Sequence, residues 1–268
     1  MSKRLLIALL LVCLCAPHAF AWGRSGHAIV ARLAQDQLSS ATNSKVRAIL
    51  GARFLADFAS EPDDWRKNNG AMITANWHFV NTPLDQASYD GARDCPDTQC
   101  VVQQVQEMLA LLGDESQKND VRREALIYLV HFVGDLHQPF HCGSGELGNG
   151  KSDLGGNLVH VTLNGRTDNL HHIWDGTLIE SRGLMVRDYV ERLENDTLGH
   201  RDKNELAGGT PDQWANESHE IAVREHVDDG ATLGHDYIDR NVKVVDERLL
   251  LGGLRLARLI ETALGGGN

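Results

Sequence analysis

HFVGDLHQPFH, running from His131 to His141, is the stretch whose reading decides the fold. Apolar residues lead into and through it at helical spacing: Val121, Ala125, Leu129, Phe132, Val133 and Leu136. That period predicts a buried helix from about Asp120 to Leu136. Pro139 ends it, because proline has no amide hydrogen and its ring clashes with the preceding turn. His131 and Asp135 are spaced i, i+4 and leave one face of the helix. His141 follows just past the helix end, where the chain can fold back. An imidazole and a carboxylate are costly to bury without partners. For one such pair alone, a satisfied core pair is the better reading. The spacing recurs, however: in NLHHIWD, His171 and Asp175 repeat it, and more histidines lie upstream. Two pairs with extra imidazoles read as a multi-metal site of nitrogen and oxygen donors, which suits zinc.

Outward from this centre, the chain's first segment is MSKRLLIALLLVCLCAPHAFA. Lys3 and Arg4, a short apolar run and Ala19-Phe20-Ala21 make it a Sec-type signal peptide with an A-x-A cleavage site. The apolar run is too short for a comfortable membrane span, and no later stretch is long and apolar enough. No membrane anchor is expected, and the protein should be secreted or periplasmic. The mature chain then starts at Trp22 and keeps 247 of the 268 residues, enough for one domain with a large core. Loss of two basic and no acidic residues takes the formal charge from −11 to −13. So acidic a protein is a poor generic nucleic-acid binder, and phosphate would need a local cationic centre such as clustered metal ions. Cys95 and Cys100 flank PDTQ and read as a small local disulfide in an exported protein. Cys142 reads as a buried structural cysteine, with a thiolate ligand beside His141 as the competing reading.

Most of the remaining sequence reads as helix. Ser25 is placed to cap a helix through HAIVARLAQDQL, which carries His27. A second helical region covers about Ser44 to Arg66 and is interrupted near Pro62. ANWHFVNTP, with His78 and Phe79, reads as short and partly β-like, and Leu84 to Cys100 as loop. Val101–Leu112 is amphipathic. After the central helix comes a long Gly-rich segment from Gly143 to Asn157, a type of loop that is functional or disordered. NLVHVTLNGR reads as a hairpin turning at Asn164-Gly165. Helices are predicted over Asn169–Ile179, Leu184–Leu198, Pro211–Val227 and His235–Leu264. The fold class is mainly α: a single-domain multi-helix bundle with a small β-hairpin.

The ordered set of motifs resembles the zinc-dependent single-strand-specific nucleases of the S1/P1 type. The residues that carry the resemblance are Trp22 with His27, Asp63 in EPDDWR, His78 in WHFVNTP, and His131, Asp135 and His141 of the central stretch. Gly155-Gly156-Asn157 and NLHHIWD complete it. They occur in family order over about 150 residues. The resemblance implies a helical fold, related to that of phospholipase C, with three zinc ions in a cleft. Asp63, His78, His131 and Asp135 would hold one zinc, and His141, His171 and Asp175 a second. The third would take the α-amine and carbonyl of Trp22, His27 and the other oxygen of Asp135. Asp135 would therefore bridge, which only a two-oxygen carboxylate can do. Asp63 is taken over Asp64 because Arg66 then falls three residues later, where the family has a basic residue.

The implied domain is residues 22–268. The implied activity is endonuclease hydrolysis of phosphodiester bonds in single-stranded DNA and RNA to 5′-phosphorylated products, with 3′-nucleotidase activity. Asp63, Arg66 and Asp135 would be catalytic, and Phe79 and Asn157 would contact the substrate. A stacked base must be unpaired, which favours single strands; for Phe79, core packing is the competing reading. The protein is expected to act as a monomer. Two other functions compete. A zinc phospholipase C would resemble His-x-x-x-Glu where this chain has His171-x-x-x-Asp175. A non-catalytic zinc-binding protein would need neither a bridging carboxylate nor a basic residue beside the site. The remaining histidines (137, 160, 172, 200, 219, 226 and 235) read as surface residues or neighbours of ligands. Trp65, Trp77, Trp174 and Trp214 read as core. Asn195 and Asn216 head N-glycosylation patterns.

Overall fold

The central helix spans Asn119–Leu136, and from Ala125 to Leu136 every residue is buried. A helix buried all round must be covered on every side. The helix Val101–Gly113, the N-terminal helix Arg24–Gln37 and the C-terminal helix His235–Leu264 supply that cover. A computed structural model of the chain describes residues 22–68, 72–148 and 150–265; the leader read at 1–21 lies outside them. Among the described residues no helix is long and apolar enough to cross a membrane.

The N-terminal helix begins at Arg24 with Gly23 as its cap, not Ser25, whose side chain is exposed in the first turn. The carbonyl of Gly23 accepts the otherwise orphaned amide of Gly26 as well as the first intrahelical bond, from His27 N. The next helical region divides into Ser40–Leu50, a 3-10 turn at Leu55–Asp57, and Glu61–Asn68. Pro62 therefore starts a helix rather than interrupting one, as proline is tolerated in the first turn. ANWHFVNTP is not a strand. A 3-10 helix covers Met72–His78, and the extended chain after it bonds to an irregular segment, with Val80 N donating to His141 O. A β pattern in sequence makes no strand where the neighbouring chain offers no regular ladder.

The hairpin forms as read. Strand β1 (His160–Leu163) pairs antiparallel with β2 (Arg166–Asn169), and both Asn164 and Gly165 have positive φ, as the tight turn demands. A third strand, β3 (Ala231–Leu233), adds in parallel to β1, beyond what the sequence pattern indicated. Cys95 and Cys100 are disulfide-bonded, and Cys142 is buried and free. Trp174 and Trp214 are fully buried in the core, while Trp65 and Trp77 pack against it from its edge.

Candidate metal centre

Five segments converge at the C-terminal half of the central helix. That helix supplies His131 and Asp135, and the 3-10 turn Pro139–His141 that follows supplies His141. His78 ends the 3-10 helix Met72–His78, and Asp63 lies in the first turn of Glu61–Asn68. His27 comes from the N-terminal helix. It can approach because residue 134 is glycine: a Cβ there would lie 2.7 Å from His27 Nδ1. Strand β2 leads directly into the helix Leu170–His172 and a π-helical turn, Ile173–Thr177, which deliver His171 and Asp175. Such wide turns recur at functional sites.

Asp135 sits between the groups, with its two oxygens facing different ways. Oδ2 lies 3.1 Å from His78 Nδ1 and 3.3 Å from His131 Nε2. Oδ1 lies 3.4 Å from His27 Nε2 and 3.9 Å from His141 Nδ1. Asp63 Oδ1 is 3.8 Å from His131 Nε2 and 3.9 Å from His78 Nδ1. On the other side, His141 Nε2 and His171 Nε2 are 3.1 Å apart, and Asp175 Oδ2 is 3.3 Å from His171 Nε2. Asp64 does not join: it pairs with the exposed Arg24 at 2.6 Å. His27 also falls within one group with Asp63 and His131, so it is not set apart from the first cluster by distance alone. Trp22 is fully buried beside it, and its Cδ1 would be 3.7 Å from a Cβ on Gly134.

Backbone carbonyls fix three of the imidazoles. His131 Nδ1 donates to Ala59 O at 2.8 Å, His141 Nδ1 to His78 O at 2.6 Å, and His171 Nδ1 to Gly155 O at 2.6 Å. A ring that donates from Nδ1 offers its Nε2 lone pair, and bonds of this kind orient metal-binding histidines. Gly155 presents its carbonyl from a φ of +63°, and a side chain there would collide with Phe140 O.

Taken without a cation, the cluster is short of partners. Among the described residues, His27 Nε2 and Asp135 Oδ1, 3.4 Å apart, are both buried with no hydrogen-bond partner. Burial, then the neighbouring Asp63, pushes the Asp135 carboxyl well above the usual range; burial does the same to Asp175. Burial also holds His27 and His78 well below the ordinary imidazole value, with His131 adding to both shifts. Divalent cations reverse this preference, since they favour ionised carboxylates and bare imidazole nitrogens. The orphaned buried atoms and the N/O donor set fit such ions. Groups of donor atoms within 4.8 Å of one another occur as His27–Asp63–His131, His78–His131–Asp135 and His141–His171–Asp175.

A cleft of about 220 Å³ opens onto this cluster. Arg66, bonded to Asp63 Oδ1 at 3.2 Å, forms part of its wall beside Phe79 and Asn157. Phe79 is half-buried at the cleft, not enclosed in the core. Asn157 donates to Leu154 O at 2.9 Å. The sequence reading missed Leu154, which also lines the cleft, is 55% exposed and takes a φ of +56°. A lone leucine in a polar Gly-rich loop carries no periodic signal. Its place is set by the buried Asp153, which accepts from Gly145 N, Ser144 Oγ and His226 Nε2.

Two histidines read as peripheral prove buried. His137 donates to Val133 O and meets Arg255, and His219 contacts the carbonyls of Cys142 and Gln86. Both are tied to protein groups outside the cluster. His160, His172, His200 and His235 are exposed, as is Asn195; Asn216 is half-buried and accepts from Tyr89 N.

The model of the family described as S1/P1 Nuclease matches residues 22–265. The chain belongs to the S1/P1 nuclease family. This S1/P1 nuclease is similar to Endonuclease 5 of Arabidopsis thaliana, 33% identical over 89% of each chain. It is 28% identical to Nuclease S1 of Aspergillus oryzae, over 90% of this chain and 91% of that one. With Nuclease P1 of Penicillium citrinum it shares 27% identity over 91% of this chain and 98% of the other. Family membership makes it an enzyme, a hydrolase of phosphodiester bonds, and sets it apart from the phospholipase reading.

Proposed function

We propose that this nuclease is a three-zinc endonuclease acting on single-stranded DNA and RNA, and a 3′-nucleotidase. One observation carries the metal reading: Asp135 lies with its two oxygens turned to two different sets of imidazoles, and Oδ1 has no hydrogen bond among the described residues. Asp63, His78, His131 and Asp135 would hold one zinc, His141, His171 and Asp175 the second. The N-terminal group of Trp22, with His27 and Asp135, would hold the third. Zinc, when bound, supplies positive charge against phosphate and lowers the pKa of water.

The protein's own groups do the rest. Arg66 is held at the cleft wall by Asp63, where its guanidinium can neutralise charge growing on the phosphoryl oxygens. Phe79, which lines the cleft with Leu154 and Asn157, would stack on a base, with Leu154 as a second apolar wall and Asn157 as a polar contact. A base in a duplex is stacked and paired and cannot enter, which gives the single-strand preference. Water breaks the P–O3′ bond, leaving a 5′-phosphate on one product and a 3′-hydroxyl on the other. The signal peptide read at residues 1–21 would send the enzyme out of the cytoplasm.

The test is cleavage of a labelled oligonucleotide as single strand and as duplex, with end analysis of the products. Single-strand cleavage to 5′-phosphorylated ends, lost on chelation and restored by zinc, is expected. Equal cutting of the duplex, or 3′-phosphorylated ends, would refute the reading. Phe79→Ala is expected to weaken single-strand binding by about 1–3 kcal/mol while leaving the melting temperature nearly unchanged. A large fall in melting temperature with normal substrate affinity would return Phe79 to a packing role.

A further inference from the structure

Gln138 is fully buried beside the cluster and is not among its proposed ligands. Its main chain spans two of them: Gln138 N donates to Asp135 O at 2.9 Å, and His141 N donates to Gln138 O at 3.0 Å. Its side chain reaches a third. Nε2 donates to Asp175 Oδ1 at 2.6 Å, while Oε1 accepts from Phe140 N at 2.5 Å. The orientation of this amide is not ambiguous. Phe140 N–H can only donate, so the amide oxygen must face it and the NH2 must face the carboxylate. A flipped amide would set donor against donor and oxygen against carboxylate. Asp175 thus has Oδ1 engaged by Gln138, while Oδ2 points to His171 Nε2 at 3.3 Å.

We propose that Gln138 is a positioning residue that fixes Asp175 as a one-oxygen ligand to the metal it shares with His141 and His171. The inference rests on the zinc reading above. Without that bond a buried carboxylate could rotate and would leave one oxygen unsatisfied, at a cost in both orientation and desolvation. Three of the imidazoles are oriented by backbone carbonyls. Gln138 does the same for a carboxylate, and it ties the segment carrying Asp135 and His141 to the one carrying Asp175. Partners of this kind are worth about 10- to 100-fold in metal affinity.

Stepwise zinc affinities, measured by competition with a chelator of known affinity, test this on wild type, Gln138→Met, Asp175→Asn and the double variant. Melting temperatures of the metal-free and zinc-loaded forms accompany them. Gln138→Met is expected to weaken one zinc by about 10- to 100-fold and leave the other two unchanged. It should lower the melting temperature of the loaded form more than that of the metal-free form. In the Asp175→Asn background it should have no further effect on zinc, because the group it acts through is gone. Gln138→Glu keeps the acceptor for Phe140 N and sets a second carboxylate against Asp175; it serves if the methionine variant does not fold and should weaken the same site. Unchanged affinities, equal weakening of all three ions, or a full effect persisting in the double variant would overturn the proposal. Wild-type protein that binds no zinc would instead sink the zinc reading itself.

Discussion

Asp135→Asn is expected to strip about two zinc equivalents from the protein, and Asp175→Asn about one, by the ligand count of tetrahedral sites. Asp135 has oxygens 3.1 Å from His78 and 3.4 Å from His27, on opposite sides of the carboxylate. Asp175 faces His171 and Gln138 and falls in one group of donors, with His141 and His171. An amide keeps the shape but loses the charge and one acceptor oxygen, so it cannot bridge two cations. Activity of Asp135→Asn should fall by a factor on the order of 10² to 10³ or more, the scale of removing one preorganised charge-stabilising group.

Stability separates this effect from misfolding. Burial raises the Asp135 carboxyl well above its ordinary pKa. A carboxyl raised in the folded state costs stability above its unfolded pKa, and the cost grows with pH up to the folded value. The metal-free Asn variant escapes that cost and should melt no lower than metal-free wild type at neutral pH, while the zinc-loaded variant melts lower than loaded wild type. Equal zinc loss in Asp135→Asn and Asp175→Asn would contradict the bridging role.

Adding one alanine ahead of Trp22 is expected to remove about one zinc equivalent, by the same ligand count, and most of the activity. Trp22 is fully buried beside Gly26 and Gly134, and Gly23 N is anchored to Asp175 O at 2.7 Å, so the residue is held next to the cluster. A terminal amine gains a lone pair when it deprotonates, and metal binding favours that form. A peptide nitrogen has none to give, since its pair is delocalised into the carbonyl. Cleavage after Ala21 would then switch the enzyme on as it leaves the cytoplasm. His27→Ala in a chain starting at Trp22 should lose the same equivalent. Full zinc and full activity in the alanine-extended form would leave Trp22 as a packing residue and cleavage as mere release.

The helical face holding His131 and Asp135 was legible because one period encodes both burial and side-chain direction. So was His171-x-x-x-Asp175, although its helix opens into a π turn that no sequence period marks. Asp63 is taken over Asp64 because Arg66 lies three residues on, and the structure places Asp63 against His131 and Asp64 against Arg24. What stayed hidden is non-local. The 3-10 form of Met72–His78 and strand β3 depend on which chain lies alongside, and a sequence read segment by segment does not contain that. Gln138 and Leu154 were missed for a related reason. Each is defined by a contact across the site or by backbone conformation, not by residue type at a spacing.

Zinc per chain, by elemental analysis of dialysed protein beginning at Trp22, is the most direct measurement of the metal centre. A bridged cluster with a terminal-amine site predicts three zinc ions per chain, with single-stranded DNA cleavage that disappears as they are removed. One zinc or none, with cleavage that survives exhaustive chelation, would contradict it.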